Sequence, residues 1–192
     1  HRNRLSSLKL ISVNISGLSL SSDAFIEHLF RLLERYRHLT HHLIIEMTEG
    51  VALQNLERTH NVIRRIQEHG VRIGLDDFGA GYTSFSYLRN LKADVIKIDG
   101  TLIQNMLADP NNIAIVRTII QLAHQLKMAC IAEWVEDEAT LQALRKLGVD
   151  YLQGFFISPA VPLETVLKSQ NIFDFLTTEE SRNCIRQLIA KP

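Results

Sequence analysis

Short runs rich in β-branched residues, each followed by a stretch with helical spacing of apolar positions, recur six times along this chain. "LKLISVNI" (8–15), "HLIIEM" (42–47), "VRIGLD" (71–76), "DVIKI" (94–98), "MACIA" (128–132) and "DYLQGFFI" (150–157) read as strands. Helices are expected at 23–38 after a Ser22 or Asp23 cap, near 54–69 ending at Gly70, around 84–90, over 112–127 after a turn at Asp109-Pro110, and near 137–147 stopping before Gly148. Alternation of this kind implies a parallel sheet with helices packed outside it, because parallel neighbours need a crossover between them.

Each of the six strands carries one unexpected polar residue at or near its C-terminal end. In order these are Asn14, Glu46, Asp76 with Asp77, Lys97, Glu133 and Gln153. Singly, each has an ordinary reading. Asn14 can cap a turn, Glu46 and Glu49 can serve the next helix, Lys97 can snorkel, and Gln153 can satisfy a loop. Together they set polar groups at one topological level on six successive strands. In a closed parallel barrel all strand ends converge on one rim, whereas in an open doubly wound sheet only those beside the switch point cooperate. The expected fold is therefore α/β: a TIM-type (β/α)8-like barrel, N-terminally incomplete, with about six strand–helix units.

Electrostatics then restricts the chemistry. Two carboxylates about 4 Å apart repel by roughly 1 kcal/mol in water and roughly 4 kcal/mol at an effective dielectric near 20. With Glu46 and Glu133 added to Asp76 and Asp77, either some groups are protonated or divalent cations sit among them. An oxygen-only set with an amide (Asn14, Glu46, Asp76, Asp77, Glu133) suits Mg²⁺ or Mn²⁺ better than zinc. Alternation along a strand sends Asp76 and Asp77 to opposite faces, so the break at Gly79 and Gly81 is expected to turn the second one back. Paired metals are a recurrent device for phosphodiester cleavage.

The 192 residues are enough for one substantial core, and Lys plus Arg equals Asp plus Glu, so a basic footprint for a DNA or RNA duplex is missing. Cys130 and Cys184 have neither metal-ligand nor framework spacing, which fits a reducing, cytoplasmic compartment. No apolar run approaches membrane-spanning length, so no membrane contact is expected from this segment, although a parent protein can be membrane-anchored. The chain opens on His1 rather than Met and reads as a piece of something longer. Residues 1–168 are expected to form the barrel domain and 169–192 a C-terminal helical extension or the start of a linker.

At "SVNIS" (12–16), "IEMTE" (45–49), "LDDFGAGYTSFSYL" (75–88), "DVIKIDG" (94–100), "IAEWVE" (131–136) and "YLQGFFIS" (151–158) the chain resembles the EAL domain family of cyclic di-GMP phosphodiesterases, over residues from about 8 to 165. The resemblance implies hydrolysis of cyclic di-GMP to linear pGpG, in a barrel with one antiparallel strand. It implies that Asn14, Glu46 and Asp76 hold one metal and that Asp77, with Asp76 bridging, holds a second. Lys97 matches the lysine that orients the attacking water, Glu133 the general base, and Gln153 a glutamine lining the substrate site. Glu49 matches the acid that holds the loop after Asp77, and Glu136 a further acid beside the site. A homodimer through "FSYLRNL" (85–91) and fusion to sensor or GGDEF-type modules are also implied.

Three departures accompany the match. The glutamate-alanine-leucine motif is not in the sequence and is expected on a strand upstream of His1, so one metal ligand and two staves are expected from a longer parent. Trp134 stands where the family usually has glycine, either as packing for a loop or as a stacking face for guanine. Pro159 replaces the usual basic residue. The alternative to an enzyme is a catalytically inactive cyclic di-GMP receptor or scaffold, which has no need of a complete ligand set.

Overall fold

The structure, a computed structural model, describes residues 10–53, 56–81, 88 and 91–190. Six strands follow one another in both sequence and space: β1 Ile11–Asn14, β2 Leu43–Thr48, β3 Arg72–Phe78, β4 Val95–Ile98, β5 Ala129–Ala132 and β6 Tyr151–Leu152. All five pairings are parallel. The helices between them are α1 Gly17–Ser21, α2 Asp23–Arg35, α3 Glu49–Leu53, α4 Leu56–Glu68, α5 Gly100–Ile103, α6 Pro110–Gln125, α7 Glu138–Leu147, α8 Leu163–Lys168 and α9 Glu179–Ala190. The result is a curled, incomplete TIM-like barrel, as the alternation predicts.

Alternation along each strand divides the side chains between two environments. Ile45, Met47, Ile73, Leu75, Ile96, Ile98, Cys130 and Ala132 point outward into one continuous core with the helices. Full burial of an aliphatic side chain of this size stabilises the chain by about 1.5–3 kcal/mol. Ile44 and Val95 are as deeply buried but stand outside that core, on the concave face. There they line a cavity of about 560 Å³ that runs along the inside of the sheet, with Arg72, Asp94 and Lys127 at one end and Glu46 and Gln153 at the other.

Local chemistry explains most element ends. Ser22 caps α2 through Phe25 N–H (3.3 Å), Asp109 caps α6 through Asn111 N–H (2.9 Å) with Pro110 in its first turn, and Asp137 caps α7 through Thr140 N–H (2.7 Å). α7 ends at Gly148, whose φ of +89° is the left-handed C-cap that favours glycine. At the strand entries, Asp94 accepts from Ile73 N–H and Asp150 accepts from Cys130 N–H, each at 2.8 Å. The same device thus ties β4 to β3 and β6 to β5.

Some element bounds differ from those expected. The last strand is short, Tyr151–Leu152 rather than 150–157, because Gly154 leaves the sheet to lie against the Val135 backbone. α2 stops at Arg35 and continues as a 3₁₀ turn, Arg37–His42. Two short helices that are not among those expected, α3 and α5, follow β2 and β4 closely. The helix expected at 84–90 and most of the dimer segment 85–91 lie outside the described residues; Leu88 and Leu91 are buried. Beyond residue 168, Leu176, Cys184 and Ile185 join the main core, and α9 packs against α7. No described helix is long and apolar enough to cross a membrane.

Candidate active site

The C-terminal rim gathers charge around one buried ammonium. Lys97 is 5% exposed. Its Nζ lies 2.8 Å from Asp76 Oδ1, 2.8 Å from Glu133 Oε1 and 3.2 Å from Glu46 Oε2. β2, β3, β4 and the end of β5 thus each contribute one charged side chain to this cluster. Glu46 has room there because Gly74, its register partner on β3, carries no side chain; a methyl at Gly74 would sit 3.1 Å from Glu46 Cγ.

Asp77 joins the cluster by a backbone irregularity. Between Leu75 and Phe78 the β3–β4 register slips, three steps along β3 matching two along β4. Asp77 itself takes φ +55°, in the left-handed region that Asp tolerates better than most residues. The reversal therefore happens at Asp77, ahead of Gly79 and Gly81, which corrects the expectation that those glycines turn it back. One carboxylate oxygen each from Asp76, Asp77 and Glu133 falls within 4.8 Å of the others. A donor set made only of carboxylate oxygens fits a hard divalent cation and offers nothing to a thiophilic one.

The electrostatics record this crowding. Burial pushes the Glu133 carboxyl upward, the Lys97 hydrogen bond and charge oppose that shift, and Asp76 and Asp77 add to it. Asp77 is raised by desolvation and then by the charges of Asp76 and Asp99. Burial pulls Lys97 downward, but its hydrogen bonds to Asp76 and Glu133 and the charges of Glu133 and Glu46 outweigh that effect, and the net shift is upward.

The remaining residues singled out in the sequence sit around this centre. Asn14 is the register partner of Glu46, so the two project to the same face, but it stands on the exposed edge strand. Gln153 lines the concave cavity together with Glu46, and its carbonyl accepts from Val135 N–H at 3.1 Å. Glu49 is buried at the start of α3 and shares a small cavity with Asp77, Ala80 and Gly81. Glu136 is exposed, beyond Glu133 on the loop that follows β5. Gly74, Asp99 and Gly154 also shape the rim. Asp99 caps α5, accepting from Thr101 N–H at 2.8 Å, and its residue type is the signal that could have found it; the close approaches at Gly74 and Gly154 leave no signal in a single sequence.

A parallel barrel whose strand ends converge on clustered carboxylates and one lysine defines a class of metal-binding barrel domains. Within it, the family model for the EAL domain matches residues 1–160, and the chain belongs to that family. It is 38% identical over 152 residues to the cyclic di-GMP phosphodiesterase PdeF of Escherichia coli K12, covering 79% of this chain and 20% of PdeF. It is 35% identical over 159 residues to the bifunctional diguanylate cyclase/cyclic di-GMP phosphodiesterase MucR of Pseudomonas aeruginosa, covering 83% of this chain and 23% of MucR. The chain thus spans about a fifth of the length of these curated relatives. Among solved structures, the MucR phosphodiesterase in complex with cyclic di-GMP superposes with a TM-score of 0.76 at 35% identity, over 81% of this chain and 63% of that one. BlrP1 of Klebsiella pneumoniae, as its manganese and cyclic di-GMP complex, gives 0.71 at 26% identity, over 80% and 40%.

Proposed function

We propose that this chain is the phosphodiesterase domain of a cytoplasmic bacterial signalling protein, hydrolysing cyclic di-GMP to linear pGpG with Mg²⁺ or Mn²⁺. The observation that carries the reading is the buried Lys97 ammonium held at once by Glu46, Asp76 and Glu133, with Asp77 turned in beside them. Membership of the EAL family and the cyclic di-GMP named for its relatives supply the substrate.

In this reading Asn14, Glu46 and Asp76 would hold one ion, and Asp77 with Asp76 a second. When bound, the ions reverse the sign of the rim's field for an anionic substrate and lower the pKa of a water. Lys97 would orient the attacking water, and Glu133, whose carboxyl is raised by burial, would take its proton. Gln153 contacts the nucleotide from the neighbouring strand. Glu49 steadies the turn after Asp77, and Glu136 adds negative charge at the margin. Of these groups, Glu46 and Gln153 line the concave cavity.

The test is turnover of cyclic di-GMP with Mg²⁺ or Mn²⁺, in the wild type and in Glu133→Ala. The variant should lose about 10²–10⁴-fold in kcat, the usual contribution of general base catalysis, with nucleotide affinity held within a few-fold. Normal hydrolysis by Glu133→Ala removes that residue from the mechanism. Binding without turnover by the wild type makes the chain a receptor instead.

A further inference from the structure

The residue next to Glu133 is Trp134, and the site described so far has no use for it. Its backbone sits at φ +52°, a conformation that bulky residues rarely adopt. The residue is 51% exposed. The indole lies against the start of α5: a methyl at Gly100 would come within 2.2 Å of Trp134 Cγ and Cδ2. The following residue is held firmly. Val135 N–H donates to the Gln153 carbonyl (3.1 Å), the Val135 carbonyl accepts from Phe156 N–H (3.0 Å), and Gly154 is packed on the Val135 backbone. Gly100 therefore backs the indole on one side, the β5 and β6 loops hold the backbone that follows it, and about half of Trp134 stays open to solvent.

We propose that Trp134 is a specificity-determining residue whose open face stacks on a purine base of the substrate. The inference rests on the phosphodiesterase reading and names the part of the nucleotide that the carboxylate cluster does not contact. A dinucleotide whose phosphodiester lies at Glu133 must carry its bases away from the acidic centre. An exposed indole on the residue that follows Glu133 is a surface such a base can use, because every purine offers a π-face. A residue needed only to fill space over Gly100 would not require half its surface exposed on a strained backbone.

Trp134 is the sole tryptophan of the chain, so its fluorescence reports on this position alone. The wild-type chain is titrated with a phosphorothioate analogue of cyclic di-GMP, which resists hydrolysis, by fluorescence and calorimetry in parallel. The emission should change and saturate with the calorimetric Kd. Trp134→Leu, which still covers Gly100, should bind about tenfold or more weakly, as expected for loss of one stacked base, while Trp134→Phe stays within about threefold. With cyclic di-GMP itself, the leucine variant should show the loss in KM more than in kcat. Unchanged emission at calorimetric saturation overturns the proposal, as does equal binding by the leucine and phenylalanine variants. Absence of calorimetric binding refutes the phosphodiesterase reading itself, and the stacking role with it.

Discussion

Replacing Lys97 by methionine keeps the length of the side chain and removes its charge. In the wild type, contacts at 2.8, 2.8 and 3.2 Å bind the ammonium to three carboxylates that are themselves largely buried. At an effective dielectric near 20 each contact is worth about 5–6 kcal/mol before desolvation, and repulsion among the carboxylates takes back a large share. What remains on truncation is the penalty of leaving buried charge without its partner, about 3–5 kcal/mol. For a domain of this size that lowers Tm by about 10 °C. The deficit should depend on pH, because protonation relieves it. The Glu133 carboxyl is already raised in the wild type, and loss of the neighbouring cation raises it further. An acid whose folded-state pKa is raised costs stability as pH climbs through that value, so Lys97→Met should be closest to wild type near pH 5 and furthest from it near pH 8. Lys97 has the opposite bearing in the wild type. Its raised folded-state pKa gives stability that is fully present below its ordinary value of 10.5 and lost as pH rises beyond it. Divalent ions supply the missing positive charge, so Mg²⁺ or Mn²⁺ should stabilise Lys97→Met more than the wild type. Thermal melts of both proteins at pH 5 and pH 8, with EDTA and with each metal, decide the matter. Equal melting temperatures in EDTA at pH 8, together with equal metal responses, would refute the claim that the ammonium balances this cluster.

Gly74→Ala places a methyl 3.1 Å from Glu46 Cγ and 3.2 Å from Ile44 Cγ2, and Glu46 cannot easily yield while Lys97 holds it. The variant should lose about 1–3 kcal/mol by overpacking and a larger share of metal affinity, measured by melts and metal titration; unchanged metal affinity would mean that Glu46 does not ligate. Both cysteines are buried, Cys130 with its thiol pushed up to about 12 by burial and by the charge of Asp150, and Cys184 raised chiefly by burial. Neither should react with Ellman's reagent in the native chain at pH 8, and both should react in denaturant; fast native labelling of Cys184 would show that the α7–α9 contact opens.

The strand order was legible because parallel strands joined by helices leave a period-two pattern and its crossovers in plain view. The rim was legible for a different reason. Charged residues on otherwise apolar strands, such as Glu46 in "LIIEM" and Lys97 in "VIKI", break the pattern that burial imposes. What stayed hidden depends on contacts between distant parts of the chain. The early end of β6 follows from Gly154 meeting Val135, and the fit of Glu46 follows from the missing side chain of Gly74. Nor does the sequence pattern of α9 tell that Cys184 and Ile185 reach the main core, since an amphipathic helix needs an apolar partner but does not name it.

Asp76 and Asp77 carry this distinction to the centre of the site. On a regular strand, neighbours face opposite ways, and one of the two acids would be directed toward the helices, where an unpaired carboxylate is not tolerated. A left-handed backbone at Asp77, with one extra residue in the β3–β4 register, delivers both to the same rim. Most side chains resist that conformation; Asp accepts it at smaller cost because its short polar side chain can bond locally. The doubled aspartate therefore answers two demands with one residue type. It supplies a second carboxylate to the cluster, and it makes the bulge that aims it affordable without a glycine, which would have left the backbone turned and the ligand missing.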